Sequence, residues 1–233
     1  MQEEILTGGR VTAQVVRKGE LVHRTPCANA PFVHSVLAFL EARGVDGVPR
    51  YRGMDDQGRE MLTFLPGEVP GDLGDFTQEQ CCWAVELMKE LHRCLAEYPG
   101  CPSGLTVCHR DLSPCNYVFR QGMPVGIIDW DAATIGHPLD DLAYAVWLWL
   151  DLGNDQVPVE STRTRLIAML DTYGVPSRER SALGERILRQ MERVAHSVFP
   201  TQQQTDATRD WATKCQAWLK GFWKECWGDS SIV

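Results

Sequence analysis

The segment at residues 107–131 constrains the fold more than any other part of this chain. Residues 107–116 read Val-Cys-His-Arg-Asp-Leu-Ser-Pro-Cys-Asn, and residues 125–131 read Val-Gly-Ile-Ile-Asp-Trp-Asp. A short apolar run precedes Asp111, and a Ser-Pro pair, which favours a turn, follows it closely. These neighbours predict that Asp111 lies on a loop.

A hairpin is predicted directly after this loop. Asn116 leads into a short strand at residues 117–119, Gly122 lies in the turn, and residues 125–128 return as a second strand. Because the strands of a hairpin run antiparallel, the end of the second lies beside the start of the first. The pattern therefore predicts that Asp129 and Asn116 lie close together, near the loop aspartate.

The oxygen-bearing side chains of this segment indicate a magnesium site. Magnesium in enzymes takes one or two carboxylates together with phosphates and water, and amide oxygens are equally hard ligands. Taken singly, an aspartate or asparagine in a loop is usually a turn former, and a histidine such as His109 usually has a structural role. Chance rarely produces the combined spacing of His109, Asp111, Asn116 and Asp129, so the combination favours a functional site.

The same segment resembles a known family. His109-Arg-Asp111 with Asn116 resembles the catalytic loop of protein-kinase-like enzymes. Ile127-Ile-Asp-Trp-Asp131 is typical of the aminoglycoside phosphotransferase family, which includes antibiotic kinases and relatives of choline and homoserine kinases. Gly136-His-Pro-Leu-Asp-Asp-Leu-Ala143 is similar to the next helix of that family. The resemblance implies a kinase-like fold with a nucleotide bound between two lobes.

The resemblance also implies a role for each residue of the motif. Asp111 would accept or orient the proton of the substrate hydroxyl, and His109 would brace the loop by hydrogen bonding. Asn116 and Asp129 would hold Mg²⁺ against the phosphates of ATP or GTP. Asp131 would orient the loop. The activity implied is transfer of a phosphoryl group to a hydroxyl of a small molecule.

The organisation of the chain predicts an α+β fold. We expect a protein-kinase-like bilobal fold with a short N-terminal β-rich lobe, residues 1–66, and a mainly helical C-terminal lobe, residues 67–233. Glycines and prolines over residues 65–71 punctuate the chain between the two. The strands expected in the first lobe are residues 5–6, 13–17, 20–24, 49–54 and 60–64; the helices expected are residues 31–43, 77–98, 139–152, 160–173, 177–197 and 206–227.

The small lobe departs from the family pattern at the phosphate-binding position. Arg24 falls nearest the lysine that the family places on its third strand, and His34 occupies the helix position of the partner glutamate. An arginine can still clamp phosphates in a bidentate manner. Gly8 and Gly9 form either the phosphate-covering loop or a simple hairpin turn. The hinge is expected over residues 61–69.

The acceptor and the activity leave alternatives open. An acidic set could attract an aminated acceptor, although we expect a helix-start role for at least one of its first two members. An aminoglycoside, another antibiotic, an amino alcohol or a sugar would each fit. The alternative function is a kinase-like pseudoenzyme or binding module with a degenerate nucleotide site. The acidic set is Asp140, Asp141, Asp151, Asp155 and Glu160.

Composition excludes some partners. The chain has 23 Lys and Arg against 31 Asp and Glu, a net charge of -8, which argues against nucleic-acid binding. No signal peptide or apolar run long enough for a membrane span is present, so we expect a cytoplasmic protein with reduced cysteines. Four cysteines recur every seven residues from Cys94 to Cys115, but prolines and glycines interrupt them and no CxxC pair exists, which disfavours zinc. The oligomeric state stays open.

Overall fold

A small antiparallel sheet with one helix precedes a mainly helical region. The computed structural model describes residues 3–6, 15–73 and 76–228, so the expected phosphate loop at Gly8 and Gly9 lies outside the described residues. The strands are β1 Glu3–Leu6, β2 Val15–Lys18, β3 Leu21–Arg24, β4 Tyr51–Met54, β5 Glu60–Thr63, β6 Thr106–Cys108, β7 Tyr117–Arg120, β8 Met123–Ile127 and β9 Thr134–Gly136; the helices are α1 Ala30–Ala42, α2 Gln78–Leu95, α3 Pro138–Trp149, α4 Val159–Tyr173, α5 Ser177–Ala195 and α6 Gln202–Trp227.

The N-terminal sheet has five strands in the order β1-β2-β3-β5-β4, all antiparallel. Helix α1 lies between β3 and β4 in the chain and ends before Gly44, which has a positive φ of 67°. Its apolar residues recur with helical spacing, and Val33, Val36 and Leu40 are fully buried. The sheet and its helix therefore form the β-rich part that the sequence predicts.

The sheet is tied to the β7–β8 hairpin by backbone contacts. Ile127 donates from its amide to the carbonyl of Gly47 at 2.7 Å, and Glu68 and Phe119 exchange two hydrogen bonds of 2.9 and 2.7 Å. Gly47 has a positive φ of 74° and packs directly against Gly126. The proposed boundary between residues 66 and 67 lies between β5 and α2, next to this contact.

The helical region buries most of the large apolar side chains. Thr77 and Gln80 form the predicted capping box at the start of α2. Trp147 and Trp149 on α3 are buried in the core, and Trp147 stacks on Trp211 of α6 with ring centroids 4.7 Å apart. The aromatic residues of α6 thus serve packing, as expected from their spacing. None of the helices in the described ranges has the length and apolar content of a membrane span. The cysteines lie within the described residues, and none of them is part of a disulfide.

We predict that Gly126→Ala loosens the contact between the sheet and the hairpin. A Cβ at this position would lie 2.7 Å from the carbonyl oxygen of Gly47, which is backbone and cannot rotate away. Overpacking of this kind should lower the free energy of unfolding by about 2 kcal/mol. Urea titration of the variant and the native chain measures this difference. The matched control is Gly71→Ala, where nothing lies within 4 Å. Equal stability of the two variants would contradict the tight contact.

Candidate active site

The loop at residues 109–111 is held by hydrogen bonds to a buried carboxylate. Asp141, in the first turn of α3, accepts the backbone amides of His109 at 2.6 Å and Arg110 at 2.9 Å. His92 on α2 contacts the same carboxylate at 3.1 Å. Asp141 is 1% exposed. Its position at the start of a helix was expected, but its main role is to fix the backbone of the loop.

The hydrogen bonds of Asp141 keep it ionised. Burial alone would raise the pKa of this carboxyl, because the charged form is desolvated. The hydrogen bond from His92 and the hydrogen bond from the backbone amide of Arg110 outweigh burial and lower the pKa below its usual value. The loop therefore rests on a negative charge that persists at neutral pH.

Asp111 follows a residue in an unusual backbone conformation. Arg110 has a positive φ of 72°, which turns the chain sharply and leaves the Asp111 side chain partly exposed. Tyr144 on α3 donates its hydroxyl to Asp111 Oδ1 at 2.9 Å. Asn116 donates its side-chain amide to the Asp111 carbonyl oxygen at 2.8 Å. Asp111 is thus held at its backbone carbonyl and at Oδ1. Its second carboxylate oxygen, Oδ2, accepts no hydrogen bond from the described residues.

His109 fixes the hairpin against the loop. Its Nε2 donates to the carbonyl of Ile128 at 3.0 Å, which sets the tautomer and leaves Nδ1 to accept the Asp111 amide at 3.3 Å. The ring packs edge-on against buried Trp130, with centroids 4.8 Å apart. These contacts join the loop to the hairpin, so His109 makes the hydrogen bonds that its expected bracing role requires.

The hairpin brings Asn116 and Asp129 together as the sequence predicts. The amide of Ile128, one residue before Asp129, donates to the Asn116 carbonyl at 2.9 Å. Asp129 has left-handed dihedrals of φ 64° and ψ 64°, a conformation that aspartate tolerates better than most residues. Its side chain is 43% exposed, in contrast to that of the buried Asn116. The carboxylate therefore projects from the end of β8 instead of packing into the core.

Arg24 connects the sheet to this carboxylate. The guanidinium donates from Nε to Glu60 at 2.7 Å, from Nη1 to Asp129 at 3.2 Å, and from Nη2 to Asp131 in a shorter contact. Burial alone would lower the pKa of Arg24, but the three carboxylates raise it above its usual value. A permanent positive charge, only 7% exposed, thus lies against the expected metal ligand.

Glu60 is a residue of this site that the sequence analysis missed. It is 1% exposed on β5 and contacts Arg24 with one oxygen and His34 Nε2 with the other, the latter at 2.5 Å. His34 in turn stacks on Tyr51 at 3.6 Å between centroids. The carboxylate partner of the cation therefore comes from a strand, and α1 contributes a histidine. Because Glu60 shares a strand face with buried Leu62, alternation along β5 could have identified it as inward-facing.

The expected acidic cluster does not form one site. Asp140 pairs with Arg186 at 2.5 Å and with Arg110 at 3.6 Å, and buried Asp141 supports the loop. The remaining members are apart from them: Asp155 pairs with Lys214 at 3.1 Å, Asp151 accepts from Asn154 at 2.8 Å, and Glu160 lies exposed in the first turn of α4. Neighbours in sequence diverge here because α3 ends at Trp149, and the next helix begins after an irregular connection.

One compact group of potential metal ligands lies elsewhere in the described part of the chain. His92, Cys108 and Asp141 offer ligand atoms within 4.8 Å of one another, and all three are buried. Both oxygens of Asp141 already accept backbone amides, and burial raises the pKa of the Cys108 thiol well above its usual range. A thiol that stays protonated is a poor ligand, so we interpret this group as structural.

We predict that Asp141→Asn destabilises the fold by about 3 kcal/mol at neutral pH, because an amide cannot accept both loop amides and the His92 contact loses its charge. Because the pKa of Asp141 is lower in the folded chain, its stabilisation is fully present above the unfolded pKa of about 3.9. It is lost as the pH falls through the pKa of the folded state. Urea unfolding of the native chain and the variant should therefore converge in acid. Asp140→Asn, which removes a more exposed pair, should cost about 1 kcal/mol or less. A constant difference between native chain and Asp141→Asn down to about pH 3 would contradict this account.

Sequence comparison finds one family model and one relative that match this chain. Residues 102–182, which include the loop, the hairpin and α3, match the model of the phosphotransferase enzyme family, APH. The chain is also 28% identical to the trifolitoxin immunity protein of Rhizobium leguminosarum bv. trifolii over 253 aligned residues, which cover 94% of this chain and 95% of that protein.

Solved structures share the fold over most of the chain. Amicoumacin kinase hAmiN, in complex with AMP-PNP, Ca²⁺ and Ami, has a TM-score of 0.68 at 10% identity, over 93% of this chain and 88% of that one. The microcompartment-associated aminopropanol kinase has a TM-score of 0.64 at 14% identity, over 97% and 93%. The APH(2'')-IIa of a streptomycin–ATP ternary complex has a TM-score of 0.55 at 15% identity, over 83% and 84%.

These findings confirm the predicted resemblance and the predicted α+β, kinase-like fold. Over residues 102–182 they agree with the expected class of enzyme, a phosphotransferase. The segment that builds the site thus matches the phosphotransferase enzyme family, and the chain as a whole has the protein-kinase-like fold.

Proposed function

We propose that this chain is a kinase that transfers the terminal phosphoryl group of ATP or GTP to a hydroxyl group of a small molecule. The observation that carries the proposal is a single site in which Asn116 donates to the Asp111 carbonyl, Ile128 pairs with Asn116 one residue before Asp129, and the buried cation Arg24 contacts Asp129. The match of residues 102–182 to a phosphotransferase family supports it.

Asp111 orients the acceptor in this proposal. The oxygen of the acceptor hydroxyl forms a bond to the terminal phosphorus while the bond from that phosphorus to the bridging oxygen breaks, and the hydroxyl proton passes to the Asp111 carboxylate. The transition state of phosphoryl transfer is loose, so the main contribution of the carboxylate is positioning. The hydrogen bond from Tyr144 at 2.9 Å holds one carboxylate oxygen and leaves the other for the hydroxyl.

Asn116 and Asp129 fit a magnesium ion by their chemistry. The amide nitrogen of Asn116 is engaged by the Asp111 carbonyl, which leaves its amide oxygen as the available ligand atom. The Asp129 carboxylate already faces a positive charge, that of Arg24 at 3.2 Å. One carboxylate and one amide oxygen, with phosphates and water, form a typical magnesium site. The ion, when bound, neutralises charge on the phosphates.

Arg24 binds the phosphates in this proposal. Its guanidinium is held by buried Glu60, whose second oxygen is fixed by His34, so its direction is set by the sheet. Arginine presents its donors in a planar fork that matches phosphate oxygens. The contact of Nη1 with Asp129 indicates that phosphates near this position lie within reach of both the cation and the metal ligands.

The acceptor we propose is an antibiotic or a similar toxic small molecule. The support is the likeness of nearly the whole chain to a protein named for immunity to trifolitoxin. A second candidate function is a kinase-like binding module. The observation that favours it is the contact of Arg24 with both Asp129 and Asp131, because two carboxylates of the site are already neutralised by a residue of the chain itself.

We predict that the chain binds ATP or GTP in a magnesium-dependent manner and that Asp129→Ala weakens this binding about tenfold or more, since the metal loses its carboxylate. Titration calorimetry with each nucleotide, with and without magnesium, measures the effect. Asp155→Ala, an exposed carboxylate paired with Lys214, is the control and should bind like the native chain. A folded native chain that binds neither nucleotide would favour the binding module.

We predict that Asp111→Ala keeps nucleotide affinity but lowers turnover about 10²- to 10⁴-fold, because it removes positioning of the hydroxyl and not a contact to the nucleotide. Release of ADP or GDP with a panel of hydroxylated acceptors, streptomycin among them, measures turnover. Turnover close to that of the native chain would refute the role of Asp111. Nucleotide binding without turnover in the native chain would support the binding module.

A further inference from the structure

Positive charge lies beside Asp111 where the loop meets α3 and α5. Tyr144, which donates to Asp111, lies on α3, whereas Arg24 reaches Asp129 from the sheet. The donor nucleotide belongs on the side of Arg24, so the acceptor approaches Asp111 along α3 and the neighbouring α5. Three arginines line this side, and we call them the acceptor edge: Arg110, Arg186 and Arg193.

We propose that the acceptor carries a carboxylate close to the hydroxyl that is phosphorylated, and that Arg193 binds this carboxylate. The inference rests on the proposed function and names the chemical class of its acceptor.

Arg193 lies one aromatic ring away from the catalytic carboxylate. Its guanidinium carbon is 5.2 Å from the centroid of the Tyr144 ring, and the hydroxyl of that ring is 2.9 Å from Asp111 Oδ1. A group bound to the guanidinium therefore lies within the length of a small molecule from the position of the reacting hydroxyl. The cation–π contact with Tyr144 also helps to hold the guanidinium in place.

The guanidinium of Arg193 is positioned without being neutralised. Nε donates to Gln190 at 3.2 Å and Nη2 donates to the carbonyl of Arg110 at 3.1 Å, and both acceptors are uncharged. Within the ranges that the structure describes, no carboxylate lies within ion-pair distance of Arg193, and the residue is exposed. Nη1 stays available for a ligand. An arginine oriented by neutral partners is suited to accept an anion from solution.

The rest of the acceptor edge adds to this charge. Arg110 and Arg186 share a single carboxylate, Asp140, at 3.6 and 2.5 Å. Arg186 and Arg193 are seven residues apart on α5 and thus lie on the same helix face. Three guanidinium groups and one aspartate leave an excess of positive charge beside Asp111. A polycationic acceptor would be repelled here, whereas an anionic group would be attracted.

The test uses the full-length chain and matched pairs of acceptors. The pairs are L-serine, L-threonine, L-homoserine and D-glycerate, each beside its carboxamide, with streptomycin as a polycation. Calorimetry with the chain saturated by magnesium and AMP-PNP measures binding, and ADP release from ATP measures turnover. We expect the carboxylate member of at least one pair to bind and turn over with a KM about tenfold or more below that of its amide, since hydrogen bonds to charged groups are the stronger ones.

The decisive variant is Arg193→Gln. We expect it to raise the KM of the carboxylate acceptor about 10- to 100-fold, to leave kcat within about threefold, and to abolish the preference over the amide. Arg193→Lys should restore part of the preference, because it keeps the charge but not the planar fork. Arg178→Gln, at an exposed position near the start of α5 beside Glu179, is the matched control and should behave like the native chain. A loss of kcat with the preference unchanged would show a purely structural role and overturn the proposal.

The other outcomes separate this inference from the proposed function. If the chain binds magnesium and nucleotide but prefers the amides or streptomycin, or binds none of the carboxylates, the carboxylate proposal is wrong while the kinase proposal stands. If the folded chain binds no nucleotide, the proposed function fails first, and the acceptor class falls with it.

Discussion

The contact between the Asp141 carboxylate and the backbone amides of His109 and Arg110 is the interaction on which the site depends. Burying a carboxylate costs several kcal/mol unless its oxygens are satisfied. Here two adjacent amides and His92 satisfy it, at 2.6, 2.9 and 3.1 Å. The same amides would otherwise be unpaired donors at a sharp turn, because Arg110 is in the left-handed region. The charge and the turn therefore stabilise each other, and the direction of Asp111 follows from both.

The part of the site around Asp129 depends on a charged contact with the N-terminal sheet. The β7–β8 hairpin holds Asp129 in a conformation that exposes its carboxylate, and the sheet supplies a guanidinium that contacts it, that of Arg24. Glu60 and His34 hold Arg24 from behind. The backbone contacts of Gly47 with the hairpin keep the sheet at this distance. A strand-borne glutamate thus fixes the cation that faces the expected metal ligands.

The sequence predicted the local features of this molecule well and its long-range pairings poorly. The capping box at Thr77, the hairpin after Asn116 and the helical periodicity of α1 depend on neighbours a few residues away, so the pattern determines them. The partner of Arg24 is 36 residues distant on another strand, and no local pattern connects Glu60 to it. The prediction of one acidic site was wrong for the same reason. Residues that are close in sequence stay close in space only within one helix, and this set extends past the end of α3.

The location of positive charge is informative because the chain as a whole is acidic. A net charge of -8 repels anions at long range, and salt screens this field beyond about 10 Å. A phosphorylated nucleotide and an anionic acceptor therefore require cations placed within contact distance of the reaction. The structure has two such cations near the loop, Arg24 beside Asp129 and Arg193 beside Tyr144. They differ in their surroundings: Arg24 is buried among carboxylates, whereas Arg193 is exposed and held by neutral groups. The first arrangement suits a site shared with a metal ion, and the second suits direct recognition of an anionic group by the side chain alone.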